Sequence, residues 1–202
     1  MKRETSQNQT LKVWDPLVRI FHWSLVFFFV LAYATEDDWL SVHVPAGYAV
    51  AMLIGFRLVW GLIGTHYARF IHFVKSPSGV LGYIRQMIGF QVPHYLGHNP
   101  AAAAMIIALL ISLVMVSFSG MVIIASEGQG PLAGTLFAAF NAEVMEEVHE
   151  FFANFTLLLV FLHVGGVFFS SLLEGQNLVR SMLTGRKKYR SDYVDYSDME
   201  KS

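Results

Sequence analysis

The chain alternates between four long apolar runs and polar connections of unequal length. The runs cover about 17–34, 43–64, 101–125 and 147–172. Each is near the ~20 residues an α-helix needs to cross a hydrocarbon core about 30 Å thick. Asp15-Pro16 reads as the start of the first helix, with Asp as N-cap and Pro in the first helical position. The loop TEDDWLS separates the first two runs, and a longer polar connection, 65–99, separates the second from the third. Within it Val80, Ile84, Met87 and Ile88 recur at helical spacing, which predicts a short amphipathic helix over Ser78 to Gln91, lying at the interface. The third run follows Asn99-Pro100, and the connection 126–145 carries Gly, Pro and Gln. No internal repeat is visible. The predicted fold is an all-α membrane protein, a four-transmembrane-helix bundle with a short interfacial helix between spans two and three.

Composition agrees with the pattern. Only 14% of the 202 residues are charged and the mean hydropathy is +0.48, whereas a soluble domain carries about 25% charged residues. A net charge of −1 gives no reason to expect a nucleic acid partner. The absence of cysteine excludes disulfides, cysteine-ligated clusters and thiol catalysis, and leaves eight histidines as the main stock of metal ligands. The first apolar run, starting near Leu17, lacks a small-residue cleavage site after it, so it reads as a retained span.

Lys and Arg set the orientation. Lys2, Arg3, Lys12 and Arg19 precede or open span one. Arg69, Lys75 and Arg85 lie between spans two and three, and Arg180, Arg186, Lys187, Lys188 and Arg190 follow span four. The other two loops have no Lys or Arg, only acids such as Glu36, Asp37, Asp38, Glu127 and Glu143. Both termini are therefore expected in the cytoplasm, in a bacterial inner membrane. A transmembrane domain is predicted over 14–190, flanked by flexible cytoplasmic tails at 1–13 and 191–202. Trp23 and Trp60 fit an inner aromatic belt, and Trp39 an outer one.

Histidine depth then becomes informative. In span four, His149 and His163 are fourteen residues apart, so at about 100° per residue the second returns to within roughly 40° of the first. They are separated by roughly 21 Å along the axis. Given the orientation, His22 in span one lies at the depth of His163, and His43 in span two at that of His149. Ionisable residues within spans are costly and usually functional. Two neutral imidazoles facing each other across a bundle suit the axial positions of haem iron. Zinc wants four ligands, or three and an open position. An inner pair, His22 with His163, and an outer pair, His43 with His149, are therefore the candidate ligands. Plain hydrogen bonding of each histidine to a neighbouring helix is the alternative.

Other residues carry two readings each. Gly47 and Gly165-Gly166 admit either a flat macrocycle or a close neighbouring helix. Arg57 follows His43 by fourteen residues and is a candidate contact for a propionate of the inner haem or for quinone, with snorkelling to headgroups as the alternative. Arg19 is a second such candidate, or an orientation anchor. His66, His72, His94 and His98 read as solvated or interfacial loop residues, with a propionate contact or a proton relay beside quinone as the alternative. Glu143, Glu146, Glu147 and Glu150 either steer a basic partner or form a solvated helix start that suits the macrodipole.

The segments RIFHWSL around His22, VHVPAGY around His43 and VHEFFANFTLLLVFLHVGG around His149 and His163 resemble the bacterial cytochrome b561 family of di-haem membrane cytochromes. That family is related to the b-type cytochrome subunits of nickel–iron hydrogenases. The connection THYARFIHFVKSPSGVLGYIRQ…PHYLGHNP and the ending NLVRSMLTGRKK are similar to the hydrogenase-type branch, and the resemblance covers about 11–188. It implies two haem b groups, each held by two histidines. It also implies electron transfer between membrane quinone as substrate and a periplasmic redox partner, a c-type cytochrome or a hydrogenase. A stand-alone quinol:superoxide oxidoreductase is the alternative function.

Overall fold

A computed structural model describes residues 10–36, 39–89, 94–95, 97–188 and 193–194. Four helices are long and apolar enough to cross a membrane: α1 Pro16–Ala34, α2 Leu40–Ile63, α5 Pro100–Ser126 and α6 Ala142–Glu174. Between α2 and α5 lie the short α3 Phe70–Phe73 and the amphipathic α4 Pro77–Ile88, and α6 is followed by α7 Leu178–Thr184. The fold is a four-helix membrane bundle, as the apolar runs predict.

The helices outrun the apolar stretches where polar residues close their ends. Asn141 Oδ1 accepts from the Val144 N–H at 3.1 Å, and Glu143 lies in the first turn of α6, where a carboxylate suits the positive end of the dipole. At 33 residues α6 is about 50 Å long, well beyond the hydrocarbon core. α2 likewise starts three residues before the expected His43 and takes Pro45 inside it.

The chain divides into two compact units. One comprises 20–59 and 105–163. Its core brings together all four long helices: Val50 and Ile54 of α2 pack with Leu113 and Val116 of α5, flanked by Leu25, Phe28 and Phe29 of α1 and Phe152 of α6. Two hydroxyls inside this apolar core satisfy each other, Ser112 with Thr156 at 2.6 Å. Large apolar side chains such as Phe27, Met52, Ile111 and Phe161 point outward, as a lipid solvent requires.

The other unit comprises 1–19, 60–104 and 164–202. Strand β1, Thr10–Lys12, pairs antiparallel with β3, Arg186–Lys188, and the Val13 N–H donates to Gly185 O at 2.9 Å. Strands this short have no period to read, and their partners are distant in sequence. A parallel pair, β2 His94–Tyr95 with β4 Tyr193–Val194, is the second small sheet. The rest of 1–13 and of 191–202, with Asp37, Asp38 and Arg190, lies outside the described residues.

Two polar knots hold this unit. Asp15 caps α1 by accepting the Val18 N–H at 2.9 Å, and its second oxygen accepts Thr65 Oγ1 at 2.6 Å and Trp60 Nε1 at 3.3 Å. Burial pushes the Asp15 carboxyl up, but these hydrogen bonds outweigh it and hold the group below its usual value. A depressed carboxylate adds stability that is complete above its unfolded-state value and is lost as pH falls through the folded one. Asp15→Ala should cost about 1 kcal/mol at neutral pH. In thermal melts in detergent, the gap to wild type should narrow as pH drops below the ordinary carboxylate range.

The second knot is Lys187, whose Nζ meets Glu174 at 3.1 Å and Tyr95 O at 3.0 Å with both charged side chains buried. Burial, then the Glu174 charge, raises the phenol of Tyr83. Lys187→Met should destabilise by about 3–5 kcal/mol because it strands the carboxylate. Adding Glu174→Gln should restore part of the loss in the same melts.

Candidate haem site

Two imidazole pairs face each other in the unit built from 20–59 and 105–163. His22 of α1 and His163 of α6 have ring centroids 6.4 Å apart. His43 of α2 and His149 of α6 stand 6.0 Å apart. Imidazoles that ligate one metal from opposite sides, with bonds of about 2 Å, have centroids about 6.3 Å apart. Imidazoles packed with nothing between them sit closer: His66 and His72 stack at 4.1 Å with their planes 26° apart. Both spans' pairs keep the wider spacing, which leaves room for an iron.

The second nitrogen of each imidazole matters as much. His43 Nδ1 lies 2.9 Å from Ala32 O, and His149 Nδ1 lies 2.9 Å from Val116 O. A carbonyl can only accept, so Nδ1 carries the proton and Nε2 keeps its lone pair. That tautomer suits a metal ligand, whose other ring nitrogen usually donates to a carbonyl or carboxylate. His22 Nδ1 is buried with no hydrogen-bond partner among the described residues. His22 thus lacks the carbonyl anchor that His43 and His149 have.

The surroundings fit a flat apolar macrocycle. His43 and His149 line a cleft together with Phe29, Tyr33, Gly47 and Ser117. A Cβ built on Gly47, Gly165 or Gly166 would meet nothing among the described residues within 4 Å. These glycines therefore do not serve close helix packing, and the open-space reading remains. The donor set, its spacing and this cradle fit haem.

Gly120 and the third span carry functions that sequence reasoning missed. A Cβ on Gly120 would come within 2.9 Å of His149 Cε1 and 3.1 Å of its Nδ1. α5 thus supplies the gap into which the imidazole fits and, through Val116 O, the acceptor that orients it. The available signal was the cluster of small residues, Ser117, Ser119 and Gly120, set among Val116, Phe118 and Met121.

The remaining candidates separate. Arg57 is only 4% exposed, too enclosed to snorkel. Arg19 Nε donates to Met182 O at 3.3 Å and its Nη2 to Leu183 O, both at the C-terminal end of α7. A guanidinium there offsets unpaired carbonyls and the negative end of the helix. His66, His72 and His98 are half-buried rather than solvated, and His98 packs against Trp14 and Phe73 with centroids 4.5 and 4.6 Å away. His94 lies in β2, and its side chain is outside the description. Glu143, Glu146, Glu147 and Glu150 are all exposed.

Facing imidazole pairs inside a four-helix membrane bundle are the design of a membrane-bound b-type cytochrome. The model of the prokaryotic cytochrome b561 family matches residues 13–185, and the chain belongs to that family. It is similar to a probable Ni/Fe-hydrogenase B-type cytochrome subunit of Bradyrhizobium diazoefficiens, 24% identical over 216 residues that cover 90% of this chain and 87% of the relative. A protein of the same description from Rhizobium leguminosarum bv. viciae is 22% identical over 221 residues, covering 91% of each. No solved structure gives a significant match. The chain is a multi-pass membrane cytochrome of the b type, a haem b protein of electron transfer.

Proposed function

We propose that the chain holds two haem b groups, one between His22 and His163 and one between His43 and His149, and carries electrons between membrane quinone and a redox partner. The observation that carries this reading is the pair of centroid separations, 6.4 and 6.0 Å. Bound haem supplies the one-electron redox couple. The protein supplies four imidazole nitrogens, fixes two of them through Ala32 O and Val116 O, and surrounds the sites with apolar side chains that lower the local dielectric. Arg57, enclosed and fourteen residues beyond His43, is the cation for a propionate or for quinone.

The distribution of Lys and Arg places both termini in the cytoplasm of an inner membrane. The His22–His163 pair is then the inner one and the His43–His149 pair the outer one, inside a transmembrane domain over 14–190. Quinone reacts near the inner pair. The two relatives' names favour a hydrogenase as the partner at the outer face, with a c-type cytochrome as the other option, and the exposed glutamates at the start of α6 are the docking charges.

In vesicles, a water-soluble quinol analogue should reduce the haem band of the purified protein. Arg57→Gln should slow that reduction at least tenfold without lowering haem content. Failure of quinol to reduce the haem would remove quinone from the account. Quinol turnover with superoxide, with no partner protein present, would replace a carrier with a stand-alone oxidoreductase.

A further inference from the structure

Away from the histidines, the β1–β3 ribbon makes a surface that the electron-transfer reading does not use. Its register sets Lys12 directly opposite Arg186, and Thr10 opposite Lys188. Side chains alternate across a strand pair, so Lys12, Arg186 and Lys188 share one face, and all three are exposed. Lys187 points the other way, into its buried pair with Glu174. Among the described residues, no carboxylate lies within ion-pair reach of the three exposed cations. Like charges directly opposite on an antiparallel pair destabilise it.

The ribbon is nevertheless held firmly. Gln176 bonds both the carbonyl and the N–H of Lys188, at 3.0 and 3.3 Å. Gly185, in the left-handed conformation with φ 79°, closes α7 and accepts the Val13 N–H. Three cations are thus fixed side by side, unlike a loose basic tail.

We infer that this ribbon face binds the phosphate of an anionic phospholipid headgroup. An anion relieves the repulsion that the register imposes, and a phosphate offers several acceptor oxygens to neighbouring cations. The location favours lipid over a free ion. Lys12 is four residues before Pro16, where the first membrane span opens, so it lies within about 14 Å of that start. On the other strand, α7 exposes Val179 and Leu183 just before Gly185, an apolar pair suited to the interfacial zone. Basic groups next to spans are the usual contacts of acidic lipids.

The test uses the full-length protein, haem-loaded, in an uncharged detergent. Native mass spectrometry and thermal melts are run with phosphatidylglycerol, phosphatidylcholine and inorganic phosphate. Retained phosphatidylglycerol and a raised Tm are expected, with no effect of the other two, and the effect should weaken with salt. The triple variant Lys12→Gln/Arg186→Gln/Lys188→Gln should lose lipid retention at least tenfold while keeping its haem spectrum. Arg85→Gln, on α4, should keep it. Should the triple variant misfold, single Lys12→Gln and Lys188→Gln variants should each show a partial loss. Equal retention by the ribbon variants and wild type would overturn the proposal. So would an equal loss in Arg85→Gln, which would mean diffuse surface charge, or equal stabilisation by inorganic phosphate, which would mean a free-anion site.

Discussion

Replacing His149 by alanine should take the haem content from two per chain towards one and halve the low-spin signal of the oxidised protein. The imidazole is one of two that face a common space, 6.0 Å from its partner His43. Removing it leaves any iron there with an open position. The other pair belongs to a different stretch of α6, fourteen residues along, and should keep its spectrum. His43→Ala should give the same remaining spectrum as His149→Ala. Haem quantitation with a reduced-minus-oxidised spectrum checks both. Loss of both haems in a well-folded His149→Ala protein would mean that the sites are not independent.

Gly120→Ala should produce nearly the same loss without touching a ligand. The added methyl would sit 2.9 Å from His149 Cε1, a distance real side chains do not tolerate. Moving the ring breaks the 2.9 Å contact from Nδ1 to Val116 O and changes its distance from His43. Overpacking of this kind costs about 1–3 kcal/mol, and each 1.4 kcal/mol is tenfold in affinity, so haem affinity at that site should fall by about fivefold to a hundredfold. Gly82→Ala is the control, since a Cβ there meets nothing within 4 Å and α4 carries no ligand. A titration of haem into the apoprotein, read at the Soret band, separates the two variants.

Much of the fold was legible because membrane spans announce themselves. A helix in lipid must be apolar over about 20 residues, so four runs gave four helices with no end displaced by more than five residues. Those shifts arose where capping residues such as Asn141 extended a helix into polar sequence. The histidines were legible for a related reason. Depth in a bilayer is nearly linear in residue number, so counting along the spans was enough to set His22 beside His163 and His43 beside His149.

What stayed hidden depended on backbone atoms and on distant pairing. The carbonyls of Ala32 and Val116 have no side-chain signature, so the groups that orient two histidines could not be read. Gly120 was one glycine among sixteen, and its role comes only from the imidazole of another helix. The hydrogen-bond partners of Arg19 are main-chain oxygens more than 160 residues away, which no local pattern announces. The β1–β3 ribbon was invisible because three-residue strands bear no periodicity, and Lys187 counted only as one of the cations after span four.

The central claim is the partition of four imidazoles into two metal-holding pairs, and double variants test it most directly. Haem per chain should be measured for His22→Ala/His163→Ala and for His22→Ala/His149→Ala, purified alongside wild type. The first, which empties one site, should retain one haem with intact low-spin character. The second, which damages both, should retain no low-spin haem. If the second instead kept a full low-spin haem while the first lost everything, the four residues would be grouped the other way and the account would fail.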